Sequence, residues 1–590
     1  MQTNGIPLIG ERTNRERFYS IALVGLCAVV FFYGLGWASL IGPDEPRYAE
    51  VAREMYVTGD WITPRLGGIK WFEKPALTYW VSAAGYALFG ENEFGARFGV
   101  ALIATFGVLL LYFFGRREHS ARFGYLSAAA LATCGLWPGF ARGVTFDLTL
   151  TVAIEVAFLS FFLWESKESQ VGKNRLWYVF CFALGLATLA KGLVGIVLPL
   201  VVIAPYLFFR RNWKVMLKPS LLVFGALIFL GTAGVWYAPV MAKDGSEFID
   251  EFFIGHHFQR YVSNKYRHPQ PFYFFPLVAL AGSFPWSFYL ISSLMKPGAW
   301  RALKRWRVTT AVPASSDEDS SDPAPSEGTA VDRLNLFLCF WIIAPILFFS
   351  FSGSKLPGYI LPIFPAVALM IGRALDRWWS DELSAPKAQG YLTGALIAAA
   401  GIGSGIVLQR VLGVSARDAW LMGSVAVLAA AVYLGLLFFR SGRTATLYLP
   451  VGLAVIVIAT THLVFPGLGN RESLKKLSLR AIEAALPSER LIFFVNHDHG
   501  INFYATGLPL RDSRSELVTV TSVDEIALLV EASRSQSLLI ISPKRWSDGV
   551  TKSEKLRVEK IGEQDFKANC SPECDWVLLR ARKSAPPAQP

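Results

Sequence analysis

Residues 18–50 read FYSIALVGLCAVVFFYGLGWASLIGPDEPRYAE, and the change of character at Gly42 decides the fold. From Tyr19 to about Ile41 the chain carries no charge. That length suits one transmembrane helix, which needs roughly 20 apolar residues. It exceeds the apolar core of a cleavable secretory signal, about 7–15 residues, so it reads as a retained anchor. The chain then turns at once to Asp44-Glu45-Pro46-Arg47, where lipid ends and a polar surface begins.

Outward from this boundary the same alternation repeats. Of 590 residues, 53% are hydrophobic and 17% charged, with a mean hydropathy of +0.39, whereas soluble proteins carry about a quarter charged residues. Lipid must therefore solvate most of the chain. About thirteen segments qualify as spans: roughly 18–41, 96–114, 124–140, 146–164, 177–190, 193–209, 219–240, 272–294, 334–352, 357–376, 391–412, 418–439 and 445–466. The net charge of +12 gathers in short clusters between them, such as Arg116/Arg117, Arg210/Arg211/Lys214 and Lys304/Arg305/Arg307. These fall in every second connection, as the positive-inside rule requires of cytoplasmic loops, so they argue topology and not nucleic-acid binding. The N-terminus is then expected inside and the tail after Pro466 outside.

Two pieces are too polar for lipid. Residues 309–332, TTAVPASSDEDSSDPAPSEGTAVD, are rich in Ser, Pro and acid and predict a disordered cytoplasmic loop within the 1–466 membrane domain. Residues 467–590 alternate strand-like runs (LIFFV, LVTV, SLLIIS, WVLLR) with helical ones (ESLKKLSLRAIEAAL, VDEIALLVEASRS), which predicts a small α/β domain. Cys27, Cys134, Cys181 and Cys339 lie in apolar runs and read as packing residues; Cys570 and Cys574 lie in the outer tail and favour a short disulfide. The chain contains no internal repeat, heptad array, P-loop or GxGxxG fingerprint, so no nucleotide cofactor is expected.

Chemistry is expected in the outer loops. The first, about 42–95, is rich in Trp, Tyr and Met as well as charge, which predicts helices lying along the membrane surface. Asp44 or Glu45 can cap the helix that opens there, with Pro46 in its first turn. The alternative is a carboxylate at the membrane face, placed to take a proton from an acceptor hydroxyl. Arg47 lies three residues on, on the same helix side. Lys74, in Glu73-Lys74-Pro75, either snorkels to headgroups or binds phosphate. Asp147 stands at the outer start of a span, where an acid is costly unless it faces a polar cavity. Glu155, two turns deeper, reads equally as a cavity residue or a buried structural carboxylate. In the second large outer loop His257 and Arg260 share a helix face. Lys355 and Tyr359 mark another outer boundary, where a lysine suggests an anionic partner. His497 and His499 in NHDHG read as a turn between strands sooner than as a metal site.

Five segments occurring in order then fix a resemblance: DE-x-RYAE-x-ARE-M (Asp44 to Met55), GDW-x-TPRL-x-G (Gly59 to Gly67), Glu73-Lys74-Pro75, H-x-Q-R-Y (His257 to Tyr261) and KLP-x-Y-x-LP (Lys355 to Pro362). Together, over about residues 10–375, the chain resembles the bacterial lipid A aminoarabinose transferases and the wider protein O-mannosyltransferase-like group of GT-C glycosyltransferases. The resemblance implies a polytopic α-helical GT-C fold of about thirteen spans with an outer soluble domain. It implies that Asp44 and Asp147 are catalytic, and that Arg47, Lys74, Arg260 and Tyr359 surround the donor phosphate; Lys355 is expected to join them from its outer boundary, and Glu45 and Tyr48 to line the cavity. It also implies that Glu73 and His257 hold a divalent ion, zinc or manganese, although His256 stands where relatives often carry an acid.

The expected reaction moves a sugar from a polyprenyl (undecaprenyl) phosphate to lipid A or another envelope glycolipid, with inversion, on the outer face of the bacterial inner membrane. That location agrees with the missing nucleotide fold, since the donor must then be carried by lipid. Lysine and arginine suit its anionic leaving group. Transfer to protein Ser/Thr is the alternative acceptor chemistry. A lipid or sugar transporter is the alternative class, but it predicts inverted repeats that the sequence lacks. A structural or sensor protein leaves the charged first loop unexplained.

Overall fold

The computed structural model describes residues 9–167, 172–211, 218–252, 269–295, 327–380, 387–440, 442–495, 499–512, 517–564 and 575–584. Its membrane part is helical: α1 Ile9–Cys27, running into a π-helical turn Ala28–Phe32; α2 Asp44–Thr58; α3 Leu77–Phe89; α4 Glu93–Glu118; α5 Ala121–Thr133; α6 Leu136–Ala141; α7 Phe146–Ser166; α8 Lys173–Lys191; α9 Val194–Arg210; α10 Pro219–Phe248; α11 Phe274–Gly282; α12 Ser287–Met295; α13 Glu327–Ser350; a 3-10 segment Pro357–Ile363 leading into α14 Phe364–Trp379; α15 Lys387–Arg410; α16 Ala416–Phe439; and α17 Gly442–Leu463. Among the described residues eight helices are long and apolar enough to cross a membrane, and nine if the bent pair α11–α12 is one span. Large apolar side chains such as Phe106, Leu227, Leu230 and Phe438 lie more than half exposed on these helices, the pattern of a surface solvated by acyl chains. The chain is a multi-pass membrane protein.

Two expected spans are broken. The 124–140 segment divides into α5 and α6, and 272–294 divides into α11 and α12, bent by 118°. The breaks meet: the Gly135 N–H donates to the Phe284 carbonyl at 2.8 Å, and the Trp286 indole donates to the Thr133 hydroxyl at 3.1 Å. Non-helical backbone at membrane depth survives only where protein satisfies its polar groups, and each break supplies partners to the other. The acidic loop also needs correction at its end: residues 309–326 lie outside the described residues, but α13 already begins at Glu327.

The loop after α1, residues 42–95, builds the frame of the candidate site. α2 and α3 are short, lie outside the spans, and pack on each other, with the Tyr86 hydroxyl donating to the Ala49 carbonyl at 2.9 Å. Between them a hairpin pairs β1 (Arg65–Leu66) with β2 (Ile69–Lys70). Its turn residues Gly67 and Gly68 have φ of 65° and 88°, a conformation that glycine adopts without strain. Their N–H groups donate to the Glu54 carboxylate at 2.8 and 3.0 Å, which ties the hairpin to α2.

After α17 come α18 (Phe465–Glu472) and α19 (Lys475–Ala484), then β3 (Arg490–Phe494), α20 (His499–Tyr504), β4 (Thr519–Val520), α21 (Val523–Ala532), β5 (Ser537–Pro543), α22 (Lys544–Thr551), β6 (Leu556–Gln564) and β7 (Trp576–Lys583). The sheet order is β4-β3-β5-β7-β6, parallel from β4 to β5 and antiparallel beyond. This α/β unit docks on the first loop. Lys475 and the Tyr504 hydroxyl both reach Glu93, at 2.5 and 3.1 Å, and Arg511 lies 3.6 Å from Glu54. His499 opens α20 with its ring 6.5 Å from that of Trp71. His497, Cys570 and Cys574 lie outside the described residues. Cys27, Cys134 and Cys181 are buried free thiols, as packing residues should be.

Candidate functional site

Arg97 on α4 fixes where α2 begins. Its guanidinium is bidentate to the Glu45 carboxylate at 2.7 and 2.9 Å and donates to the carbonyls of Leu35, Ala38 and Ser39 at 2.7–2.9 Å. All of its donors are thereby used. Glu45 also accepts from the Ile41 and Val144 N–H groups, at 2.8 and 3.2 Å. It is an anchor tying the exit of α1 to α4 and to the entry of α7, whereas its neighbour Asp44 turns to Arg47.

Asp44 is the first residue of α2, and the helix has no side-chain cap. The capping role open to Asp44 from sequence is therefore not filled. Its side chain is 61% exposed and meets Arg47 at 3.3 Å. The same Arg47 nitrogen lies 3.4 Å from Glu73, whose other oxygen accepts from Lys74 at 2.8 Å. Trp71 lies under the Arg47 guanidinium at 5.7 Å, a cation–π distance that holds the head in place. Asp44, Arg47, Glu73 and Lys74 thus form one chain of alternating charge, with Glu73 and Lys74 almost wholly buried. Tyr48 and Tyr79 wall it in. Burial above all, and then the Glu73 charge, hold both phenols well above their usual titration range.

The Tyr48 ring meets Phe146 edge-on at 4.7 Å, and the next residue is Asp147. Asp147 forms an ion pair with Lys191, at the last position of α8. The Lys191 ammonium lies 5.2 Å from the centre of the Tyr359 ring. Gly358 approaches so closely that a Cβ there would sit 2.7 Å from the Asp147 carboxyl carbon. Sequence residues from the first loop, from α7 and from the 3-10 segment therefore assemble into two adjoining clusters.

Lys191 was absent from the sequence reading. Its signal was available: on the topology expected from the basic clusters, a lysine ends an outward-running span at ATLAKGL, where basic residues are disfavoured. Lys355 is placed nearby in sequence but donates to the Ser352 carbonyl of its own turn at 2.7 Å. Glu155 belongs to neither cluster; it is fully buried in α7, and neither carboxyl oxygen has a hydrogen-bond partner. His257 and Arg260 lie outside the described residues. Among the described residues no group of three or more His, Cys, Asp or Glu side chains is arranged to hold a metal.

Comparison with known proteins agrees with this architecture. The dolichyl-phosphate-mannose-protein mannosyltransferase family matches residues 73–237. Undecaprenyl phosphate-alpha-4-amino-4-deoxy-L-arabinose arabinosyl transferases from Erwinia tasmaniensis and Pseudomonas aeruginosa are 31% and 32% identical, over 60% and 56% of this chain. The chain spans 58% and 55% of their lengths. ArnT from Cupriavidus metallidurans, crystallised with undecaprenyl phosphate, superposes with a TM-score of 0.75 at 25% identity, over 95% of this chain and 98% of that one. The resemblance drawn from the five segments therefore holds, and the GT-C-type fold extends through the later spans and the α/β unit, where the sequence motifs are silent.

Proposed function

We propose that this chain is a glycosyltransferase that moves a sugar from a polyprenyl phosphate to lipid A or another envelope glycolipid, at the outer face of the bacterial inner membrane. The observation that carries the reading is the junction of the Asp44–Arg47–Glu73–Lys74 cluster with the Asp147–Lys191–Tyr359 cluster where the first loop meets α7 and α8. Cations beside carboxylates at the membrane surface answer the two needs of such a transfer. Lys74 and Arg47, joined by Arg260, receive the donor phosphate and stabilise it as a leaving group. Asp44, the exposed carboxylate, accepts the proton of an attacking hydroxyl, or orients an acceptor phosphate that is already anionic. Asp147, held by Lys191, faces the sugar as positive charge develops at its anomeric carbon. Direct displacement inverts that carbon. In this reading the N-terminus is cytoplasmic and the α/β unit periplasmic, following the basic clusters.

The match of residues 73–237 to protein mannosyltransferases favours, as a second reading, a protein Ser/Thr acceptor. The test is transfer by the purified chain in lipid nanodiscs. Undecaprenyl-phosphate aminoarabinose or mannose is the donor, lipid A or a Ser/Thr peptide the acceptor, and mass spectrometry the readout. A labelled lipid A supports the first reading and a labelled peptide the second; a folded protein that labels neither refutes both.

Glu73 and His257 are the proposed pair for a divalent ion. The fit is poor on the described side, because both Glu73 oxygens already meet cations, Lys74 and Arg47. With Glu73 engaged by its two cations, transfer is expected to survive chelation; loss of turnover restored by zinc or manganese would reverse this.

A further inference from the structure

A cavity lined by Glu45 lies apart from the Asp44–Lys74 cluster, none of whose charged residues line it. Its volume is about 370 Å³, and it opens between the end of α1, the α6–α7 connection and the α17–α18 junction. The walls are apolar, with Leu35, Val457 and Phe465 among them, while Glu45, Arg97 and Arg142 bring charge to it. Arg97 is matched by Glu45. Arg142 is not matched: its terminal nitrogens donate to the carbonyls of Val30 and Tyr33, at 3.1 and 2.9 Å, and lie 3.4 Å from the Thr461 hydroxyl. These acceptors are neutral. Its Nε is buried with no partner, and no carboxylate of the described residues reaches it. Glu45 thus answers Arg97 alone, and the Arg142 charge is left without a carboxylate among the described residues. Burial first, and the Arg97 charge second, push Arg142 down to about 10.

Arg142 is half-buried, and a cation drawn out of water without a counter-ion is costly unless something anionic answers it. The carbonyls of the π-helical turn explain where the Arg142 head is held, but they leave its charge uncompensated. The surroundings indicate the form of the anion. The cavity sits at the ends of two lipid-facing helices, α1 and α17, and Phe465 lies 5.3 Å from the guanidinium. Apolar walls around a cation fit an amphiphile, with phosphate inward and acyl chains along the helices, better than a free ion.

We propose that this cavity binds the phosphate headgroup of an anionic lipid, with Arg142 as its receptor, apart from the donor phosphate at Lys74. The site needs nothing from the transferase reading. Gly139 allows a clean test, since it lines the cavity and a Cβ there meets nothing within 4 Å. Gly139→Leu fills the space and leaves Arg142 and its carbonyl partners alone, whereas Arg142→Gln removes the charge.

The experiment is native mass spectrometry of the detergent-purified full chain titrated with phosphatidylglycerol, with phosphatidylcholine and inorganic phosphate as separate arms. Melting temperatures confirm that both variants are folded. The proposal expects one phosphatidylglycerol to bind in preference to phosphatidylcholine, about tenfold or more weakly in each variant and unchanged in Lys74→Ala, as loss of a charged hydrogen bond implies. Unchanged binding in both variants overturns the site. Loss in Arg142→Gln but not in Gly139→Leu also overturns it, assigning Arg142 to holding α1. Competition by inorganic phosphate at the same concentration as the lipid overturns the lipid assignment.

Discussion

Replacing Asp44 with Asn separates a reacting carboxylate from a structural one, and the structure sets the size of both effects. α2 has no side-chain cap, so no capping bond is lost. The exposed pair with Arg47 at 3.3 Å is worth about 0–1 kcal/mol. A negative charge in the first helical turn contributes roughly another 0.3–1 kcal/mol. Asp44→Asn is therefore expected to cost at most about 2 kcal/mol of stability. Loss of a general base costs about 10²–10⁴ in rate, which is about 3–5 kcal/mol on the barrier. The assay is initial rate against acceptor concentration in nanodiscs, with donor affinity and melting temperature measured on the same samples. Transfer should fall by at least a hundredfold while melting moves by only a few degrees. Donor affinity should hold within a few-fold, because Arg47 keeps its contact with Glu73. Turnover within about threefold of the parent refutes the base assignment. Rate and donor affinity falling together would show that Asp44 acts by holding Arg47 for the phosphate.

Lys191→Met leaves the partly buried Asp147 carboxylate unpaired, which should cost about 1–3 kcal/mol of stability and most of the activity; adding Asp147→Asn should recover the melting temperature and not the rate, and recovery of both would make the pair purely structural. Gly358→Ala places a methyl group 2.7 Å from the Asp147 carboxyl carbon while Lys191 holds the other side. Turnover should fall about ten- to a hundredfold from displacement alone, and a fully active variant would show that Asp147 has room to move. Glu50 is fully buried beside Arg53 on α2, and burial raises its carboxyl to about 7 despite that partner. The folded chain therefore holds a proton that the unfolded chain has released between about pH 4.5 and 7, so stability falls as pH rises through that window. Melting temperatures from pH 5 to 8 should show this slope in the parent and lose it in Glu50→Gln; a slope kept by the variant assigns it elsewhere.

The membrane fold was legible because lipid imposes one constraint over about 20 residues at a time. Each of the thirteen expected spans contains helix, but among the described residues only eight helices, or nine with the bent pair, are long and apolar enough to cross a membrane. The breaks at Cys134–Gly135 and Ser283–Trp286 were not legible, because hydropathy treats two short apolar helices and one long one alike. Gly135 and Pro285 marked the places, but only the hydrogen bond between the breaks explains why they are tolerated. The α/β unit shows the same limit in water. β3, β5 and β7 carry buried apolar runs and read as strands. β6, LRVEKIGEQ, is an edge strand with a bulge between Lys560 and Gly562, and its charged residues hide the alternation.

The site was legible in proportion to how strongly each residue violated its surroundings. Asp147 stood out because a carboxylate at a span end is costly, and Asp44, Arg47, Glu73 and Lys74 because charge was concentrated in a loop otherwise built for the membrane surface. Glu45 carried the same signal as Asp44, yet the structure turns it to the opposite side, onto Arg97. Neighbouring positions on a helix point about 100° apart, so adjacency in sequence is a poor guide to a shared cavity. Lys191 gave the converse lesson. A single lysine closing a 19-residue helix reads as an ordinary span end until its side of the membrane is considered. On the proposed topology Lys191 closes an outer span end, where positive charge is disfavoured and an anionic match favours it. In the folded chain that match is Asp147, and the same ammonium lies over Tyr359. One cation therefore holds the α7 carboxylate and the 3-10 segment together, which makes its charge a condition for the geometry on which the proposed transfer depends.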